Sequence, residues 1–289
     1  MIGFGLMAAV LFFLPVPLLT LAGVVWPFAG FNPALQGALW VGMYLLTVAA
    51  VIPVVVATVR WLHGRSPWEL VAPGRSFDAI LLARSAFLYG GIIVGPMALH
   101  AILEEGAPID PDWRQLPILL PVLLVPLLLQ VTAEELVFRG YVTQGLGRVV
   151  RRPGIIFVLV ALLFAGVHGY LWAEGAWDVR IAVLLLSLML SWITWRADRL
   201  EPAIGVHLAH NLLFFMLFDM TSIPAKPSLL AFDPVANLGH ATARDVIFAV
   251  AASAGTWAVF WYLGIRRNWL GLDPAGTPRS ALESQPASV

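Results

Sequence analysis

Apolar windows of roughly 17–25 residues, each long enough to cross a bilayer, recur along this 289-residue chain and constrain its fold more than any other feature. Inside hydrocarbon, every backbone N–H and C=O must be satisfied within the segment or in a closed barrel, and apolar runs of this length satisfy them as helices. About eight such windows can be drawn: Phe4–Val25, Ala34–Val59, Asp78–Leu103, Leu116–Phe138, Gly154–Tyr170, Val179–Trp195, Ala203–Phe218 and Val246–Ile265. The fourth is expected to run on as helix toward Gly145. Charged residues make up only 12% of the chain, about half the share in a soluble domain. The fold expected is all-α and polytopic, with about eight transmembrane helices.

The turns between windows alternate in charge. Arg60, Arg65 and Arg75 follow the second window, Arg148, Arg151 and Arg152 the fourth, Arg196 and Arg199 the sixth, and Arg266 and Arg267 the eighth. The intervening turns carry Glu104, Glu105, Asp110 and Asp112, then Glu174 and Asp178, then Asp219 and Asp233. The positive-inside rule puts the arginine-bearing turns and both termini in the cytoplasm. The first 13 residues have neither a basic start nor a small-residue cleavage site, so the first window reads as a retained span. Three parts are expected: residues 1–77 as two helices and a cytoplasmic linker, 78–268 as a membrane-embedded catalytic core, and 269–289 as a disordered cytoplasmic tail rich in Pro, Ala and Ser. A nearly lysine-free basic complement (Lys226 stands alone) points to a GC-rich bacterial genome, and the location expected is the cell (inner) membrane.

Composition removes several chemistries. Formal net charge is zero, so no nucleic-acid partner is expected. With no cysteine, disulfides, thiolate metal sites and a cysteine nucleophile are all ruled out.

Ionisable residues at membrane depth mark functional sites by default, and here they fall on three windows. The fourth carries Glu134, Glu135 and Arg139; the fifth ends in His168; the seventh carries His207, His210 and Asn211. Glu135 and Arg139 are four apart and share a helical face, which suits an internal ion pair. Glu134 points about 100° away and is left for chemistry. His207 and Asn211 also share a face, whereas His210 turns about 60° from His207 and reads as packing or support. A carboxylate withdrawn from water is a stronger base. Paired with a histidine, it could deprotonate a water, while a second histidine and an asparagine amide could donate to an oxyanion. Two histidines and a glutamate also make a common zinc set, so Glu134, His168 and His207 are candidate ligands if zinc is used. Residue types alone leave both zinc and a metal-free water open.

In order, E-E-x-x-x-R, F-x-x-x-H and H-x-x-x-N on successive apolar segments resemble the three motifs of the CPBP family. This is the CAAX protease and bacteriocin-processing, or Abi, family of intramembrane proteases, which includes CAAX prenyl protease 2-like and lysostaphin resistance protein A-like members. The likeness covers about Leu116–Leu217, although the approach to the third motif reads WRADRLEP where the family often has arginine–threonine–glycine elements. It implies an intramembrane endopeptidase cutting near the cytoplasmic side, with Glu134 as water-activating base, His168 as its partner, and His207 with Asn211 stabilising the oxyanion. Glu135, Arg139 and His210 would support them. The implied partners are a peptide or membrane-protein substrate and the bilayer. Two other readings compete: a transporter or proton relay using the Glu/His/Arg cluster, and a non-catalytic immunity scaffold.

Depth poses a geometric condition. His168 lies roughly 20 Å along its helix from Gly154, but His207 only roughly 10 Å beyond Leu200. They meet only if the fifth helix begins outside the core, tilts strongly or starts deeper than drawn.

Overall fold

The structure, a computed structural model, describes residues 33–105, 114, 116–168, 177–217 and 242–270. Every regular element among them is helical, as the apolar windows require. In chain order these are α1 (Pro33–Ala49), α2 (Val51–Ala57), α3 (Ala79–Glu105), α4 (Leu116–Glu135), α5 (Thr143–Gly147), α6 (Pro153–Val167), α7 (Trp177–Ala197), α8 (Glu201–Leu217) and α9 (Ala243–Phe260). Wider π turns extend three of them: Thr58–Leu62 after α2, Leu136–Val142 between α4 and α5, and Trp261–Arg266 after α9. Five stretches are long and apolar enough to span a membrane: Leu35–Leu62, Ala79–His100, Leu116–Gly147, Trp177–Ala197 and Ala243–Arg266. They coincide with the second, third, fourth, sixth and eighth expected windows, and this is a membrane protein. The fifth and seventh windows form shorter helices, α6 and α8. The first window and the tail beyond residue 270 lie outside the described residues.

α8 is the central post. Residues 201–209 are all buried, because α8 sits between two apolar cores. One face, through Leu200, Ile204, Leu208 and Met216, joins a core with α1, α2, α4 and α6. Its other face, through Ala203, Val206 and Ala209, joins a core with α3, α7 and α9. Lipid tails are as apolar as leucine, so helices in a membrane associate by close packing of small residues. Here Gly205 lies directly against the backbone of α3, where a Cβ would collide with the Leu82 carbonyl oxygen and stand 3.1 Å from the Ala86 nitrogen.

The first turn of α8 is also buried, and a polar cap makes that tolerable. Asp198 adopts a left-handed backbone (φ 53°) that turns the chain sharply out of α7, a conformation aspartate tolerates better than most residues. The Leu200 N–H then donates to the Val71 carbonyl at 2.8 Å. Fully buried Glu201 accepts from Arg199 through both oxygens, at 3.0 and 2.5 Å, and from the Asp78 N–H at 3.0 Å. Its carboxylate also suits the positive end of the helix dipole. Arg199 reaches on to the Ser76 carbonyl at 2.8 Å, and Arg75 lies 3.5 Å from Asp198. The segment after Pro67–Leu70, expected as a plain linker, therefore folds over the start of α8 and pins it below the surface.

This placement settles the depth condition. α6 begins outside the core, with Pro153, Gly154 and Ile155 exposed, whereas α8 begins within it. One long descent and one short one end at the same level. Replacing Gly205 with alanine should push α8 off α3 and destabilise the protein by about 1–3 kcal/mol, the usual cost of overpacking. Thermal unfolding of the detergent-solubilised variant would register this as a lowered midpoint.

Candidate active site

Residues from α4, α6 and α8 converge on Glu134. Its Oε1 stands 3.6 Å from Nε2 of His168, and its Oε2 stands 3.5 Å from Nε2 of His207. Glu134 is 5% exposed and His207 2%, while the His168 side chain keeps 27% of its surface open. The geometry thus brings together Glu134, His168 and His207 from three separate windows.

The other nitrogen of each imidazole is already committed. His168 Nδ1–H donates to the Phe164 carbonyl, one turn earlier on α6, at 2.7 Å. His207 Nδ1–H donates to Oε1 of Glu135 at 2.7 Å. Carbonyl and carboxylate oxygens can only accept, so these bonds fix the tautomers and turn both Nε2 atoms toward Glu134. Phe164 forms the wall behind them, its ring 4.4 Å from that of His168 and 5.8 Å from that of His207.

Glu135 and Arg139 form the ion pair expected from their spacing, at 3.0 Å, with both side chains fully buried. Arg139 also donates to the Ser187 hydroxyl at 2.6 Å and to its carbonyl at 3.1 Å, tying α4 to α7, and its guanidinium lies 4.7 Å from the Phe164 ring. Glu135 Oε1 accepts from both Arg139 and His207. Glu135 therefore orients the histidine, while the adjacent Glu134 faces the open side.

Asn211, one turn beyond His207, donates through Nδ2 to Oε1 of Gln130 at 3.2 Å. His210 points the other way, toward α3, where its Nδ1 lies 3.0 Å from the Tyr89 hydroxyl. Gln130 and Ser187 were not singled out from the sequence. Gln130 did carry a signal, as a polar residue one turn before Glu134 inside an apolar helix; Ser187 carried none that sets it apart from other serines.

Glu134, His168, His207 and Asn211 all line one cavity of about 390 Å³. Apolar side chains of α3, α7 and α9 make most of its remaining wall, among them Ile93, Met97, Met189 and Trp257. Oε2 of Glu134 is buried without a hydrogen-bond partner among the described residues. A buried acceptor left bare in this way calls for a water or a substrate group. Two imidazoles and a carboxylate are zinc-ligand types, but among the described residues no group of three or more His, Cys, Asp or Glu has metal-holding geometry. The two Nε2 atoms approach different oxygens of the one Glu134 carboxylate.

Comparison with known proteins falls on the same helices. Residues 116–213 match the family described as type II CAAX prenyl endopeptidase Rce1-like. The resemblance read from the three motifs is borne out over this segment, which holds α4 to α7, α8 as far as residue 213, and Glu134, His168, His207 and Asn211. An uncharacterized protein of Bacillus subtilis (strain 168), YyaK, is 29% identical over 140 residues, and the match covers 44% of each chain. The chain thus spans less than half the length of this curated relative.

Removing one member of a buried ion pair strands the other charge. Arg139→Met should therefore destabilise the protein by about 3–5 kcal/mol. Pairing it with Glu135→Gln removes the stranded charge and should recover part of that loss. Chemical denaturation of both variants in the same detergent tests the two expectations together.

Proposed function

We propose that this protein is an intramembrane endopeptidase in which Glu134 and His168 activate a water that attacks a peptide carbonyl. The observation that carries this reading is the convergence of two tautomer-fixed Nε2 atoms and a bare carboxylate oxygen on one cavity. The match to an endopeptidase family over the same helices supports it independently.

The chemistry follows from the geometry. A water between Glu134 Oε1 and His168 Nε2 gives one proton to the carboxylate and is oriented by the imidazole lone pair, as general base catalysis requires. Its oxygen bonds to the carbonyl carbon, and the carbonyl electrons move onto oxygen. The developing oxyanion is met on α8 by Nδ2–H of Asn211, with the His207 imidazole beside it. The C–N bond then breaks, and Glu134 returns its proton to the departing amine. Phe164 and the apolar wall keep bulk water away, so these interactions act in a low dielectric.

The substrate is a membrane-associated peptide or membrane protein entering between helices. His207 lies only six residues into α8, about 9 Å along the helix from the arginine-bearing turn that precedes it. With those turns cytoplasmic, in the cell membrane of a bacterium, cleavage occurs toward the cytoplasmic side. Substrates are CAAX-type, leader or regulatory peptides. The water needs no metal in this arrangement; zinc bound by Glu134, His168 and His207 is the alternative that a chelator separates.

Wild type and Glu134→Ala in membranes, given a panel of quenched fluorescent peptides that includes a farnesylated CAAX peptide and unprenylated leader peptides, should differ by about 10²–10⁴-fold in rate. Chelator should leave the wild-type rate unchanged. Equal cleavage by the two proteins would remove Glu134 from the mechanism, and a chelator-sensitive wild type would restore the zinc alternative.

A further inference from the structure

We infer that Gln130 is a positioning residue that aims the Asn211 amide into the cavity, an assignment that rests on the peptidase reading. The helices α4 and α8 pass each other as an antiparallel pair with two polar rungs. In the first, Glu134 faces His207 at 3.5 Å; in the second, Gln130 meets Asn211 at 3.2 Å. Gln130 is four residues before Glu134, and Asn211 is four residues after His207. One helical turn in opposite directions therefore separates the rungs on both helices.

An asparagine side chain swings about its terminal torsion over a broad, two-fold range. At the wall of a cavity it can present its N–H₂ to a substrate oxygen or swing its own oxygen there instead, which would repel a developing oxyanion. Gln130 removes that freedom. It is 5% exposed, and its Oε1 accepts one Nδ2–H of Asn211. The second Nδ2–H is thereby directed into the space that both residues line with Glu134, His168 and His207. The rung is neutral, so it adds no charge one turn from the general base. Gln130 also lies close enough to bear on the Glu134 carboxylate, so the double variant below isolates the part of its effect that runs through Asn211, which acts when the oxyanion forms rather than when the peptide binds.

The test uses full-length protein in nanodiscs and the panel peptide that wild type cuts. Gln130→Met keeps the length and volume of the side chain without its acceptor. It should lower kcat by about 10–100-fold, the scale on which a small misplacement acts, with KM changed by less than about twofold. Asn211→Ala removes the donor outright and should cost about 10²–10³-fold. The decisive arm is the double variant: a residue that works only through Asn211 has nothing left to lose once Asn211 is alanine. Gln130→Met/Asn211→Ala should therefore match Asn211→Ala. Gln130→Asn, one methylene too short to close the rung, should repeat the loss seen in Gln130→Met and guards against a methionine-specific packing fault. A wild-type kcat in both single variants at residue 130 would overturn the inference. So would an unchanged multiplicative loss in the Asn211→Ala background, which would reveal a role through Glu134 or through packing instead. Failure of the underlying peptidase reading looks different, because Glu134→Ala would then cleave as fast as wild type.

Discussion

A full guanidinium and a full carboxylate with no solvent exposure, Arg139 and Glu135, set the terms for the rest of this structure. In a low-dielectric interior neither charge is tolerable alone, and their attraction offsets desolvation only when further hydrogen bonds complete the geometry. Ser187 on α7 and His207 on α8 supply such bonds, while Glu135 Oε2 and Arg139 Nε have no partner among the described residues. One ion pair between the end of α4 and the turn that follows it thus obliges two other helices to present polar groups at a single level, and the imidazole recruited in this way leaves its second nitrogen facing Glu134. The adjacent glutamates divide the work: one carboxylate is spent on holding the cluster together, and the other stands bare at the cavity.

The level at which this happens depends on how deeply α8 starts. A helix that begins below the protein surface carries its first turn of N–H groups into a place without water, which normally has to be compensated. The Val71 carbonyl accepts the Leu200 N–H, and the buried Glu201 carboxylate is satisfied by Arg199 and by the Asp78 amide; Val71 and Asp78 belong to a segment outside the matched region 116–213. The cap and the site are linked mechanically through six residues of α8. The absence of a side chain at Gly205 lets this helix stand close enough to α3 to be enclosed on both sides.

Much of this was legible in the sequence because membrane physics narrows the choices. Apolar length specified helices, and four-residue spacing specified the Glu135–Arg139 pair and the shared face of His207 and Asn211. His210, read as lying off that face, does turn to Tyr89. What was not legible depended on where helices start. Gly154 and Leu200 look like equivalent helix beginnings, and only the fold of residues 67–78 over Glu201 makes one shallow and the other deep. Ser187 was equally hidden, because a serine in a membrane helix is ordinary until an arginine from another helix needs it. Gln130 was visible as an isolated polar residue, but its meaning required knowing that α4 and α8 run antiparallel in this register.

The central claim is that the attacking group is a water held between Glu134 and His168, with no covalent bond to the protein. The cavity wall also contains hydroxyl groups, those of Ser253 and Thr256 among them, so a side-chain nucleophile is the chemical alternative that matters. Single-turnover cleavage in the presence of hydroxylamine distinguishes the two. Direct attack by water yields only the free carboxylic acid at the new C-terminus, and the account predicts that product alone. A peptide hydroxamate would mean that an acyl-enzyme had formed and been intercepted, and would contradict it.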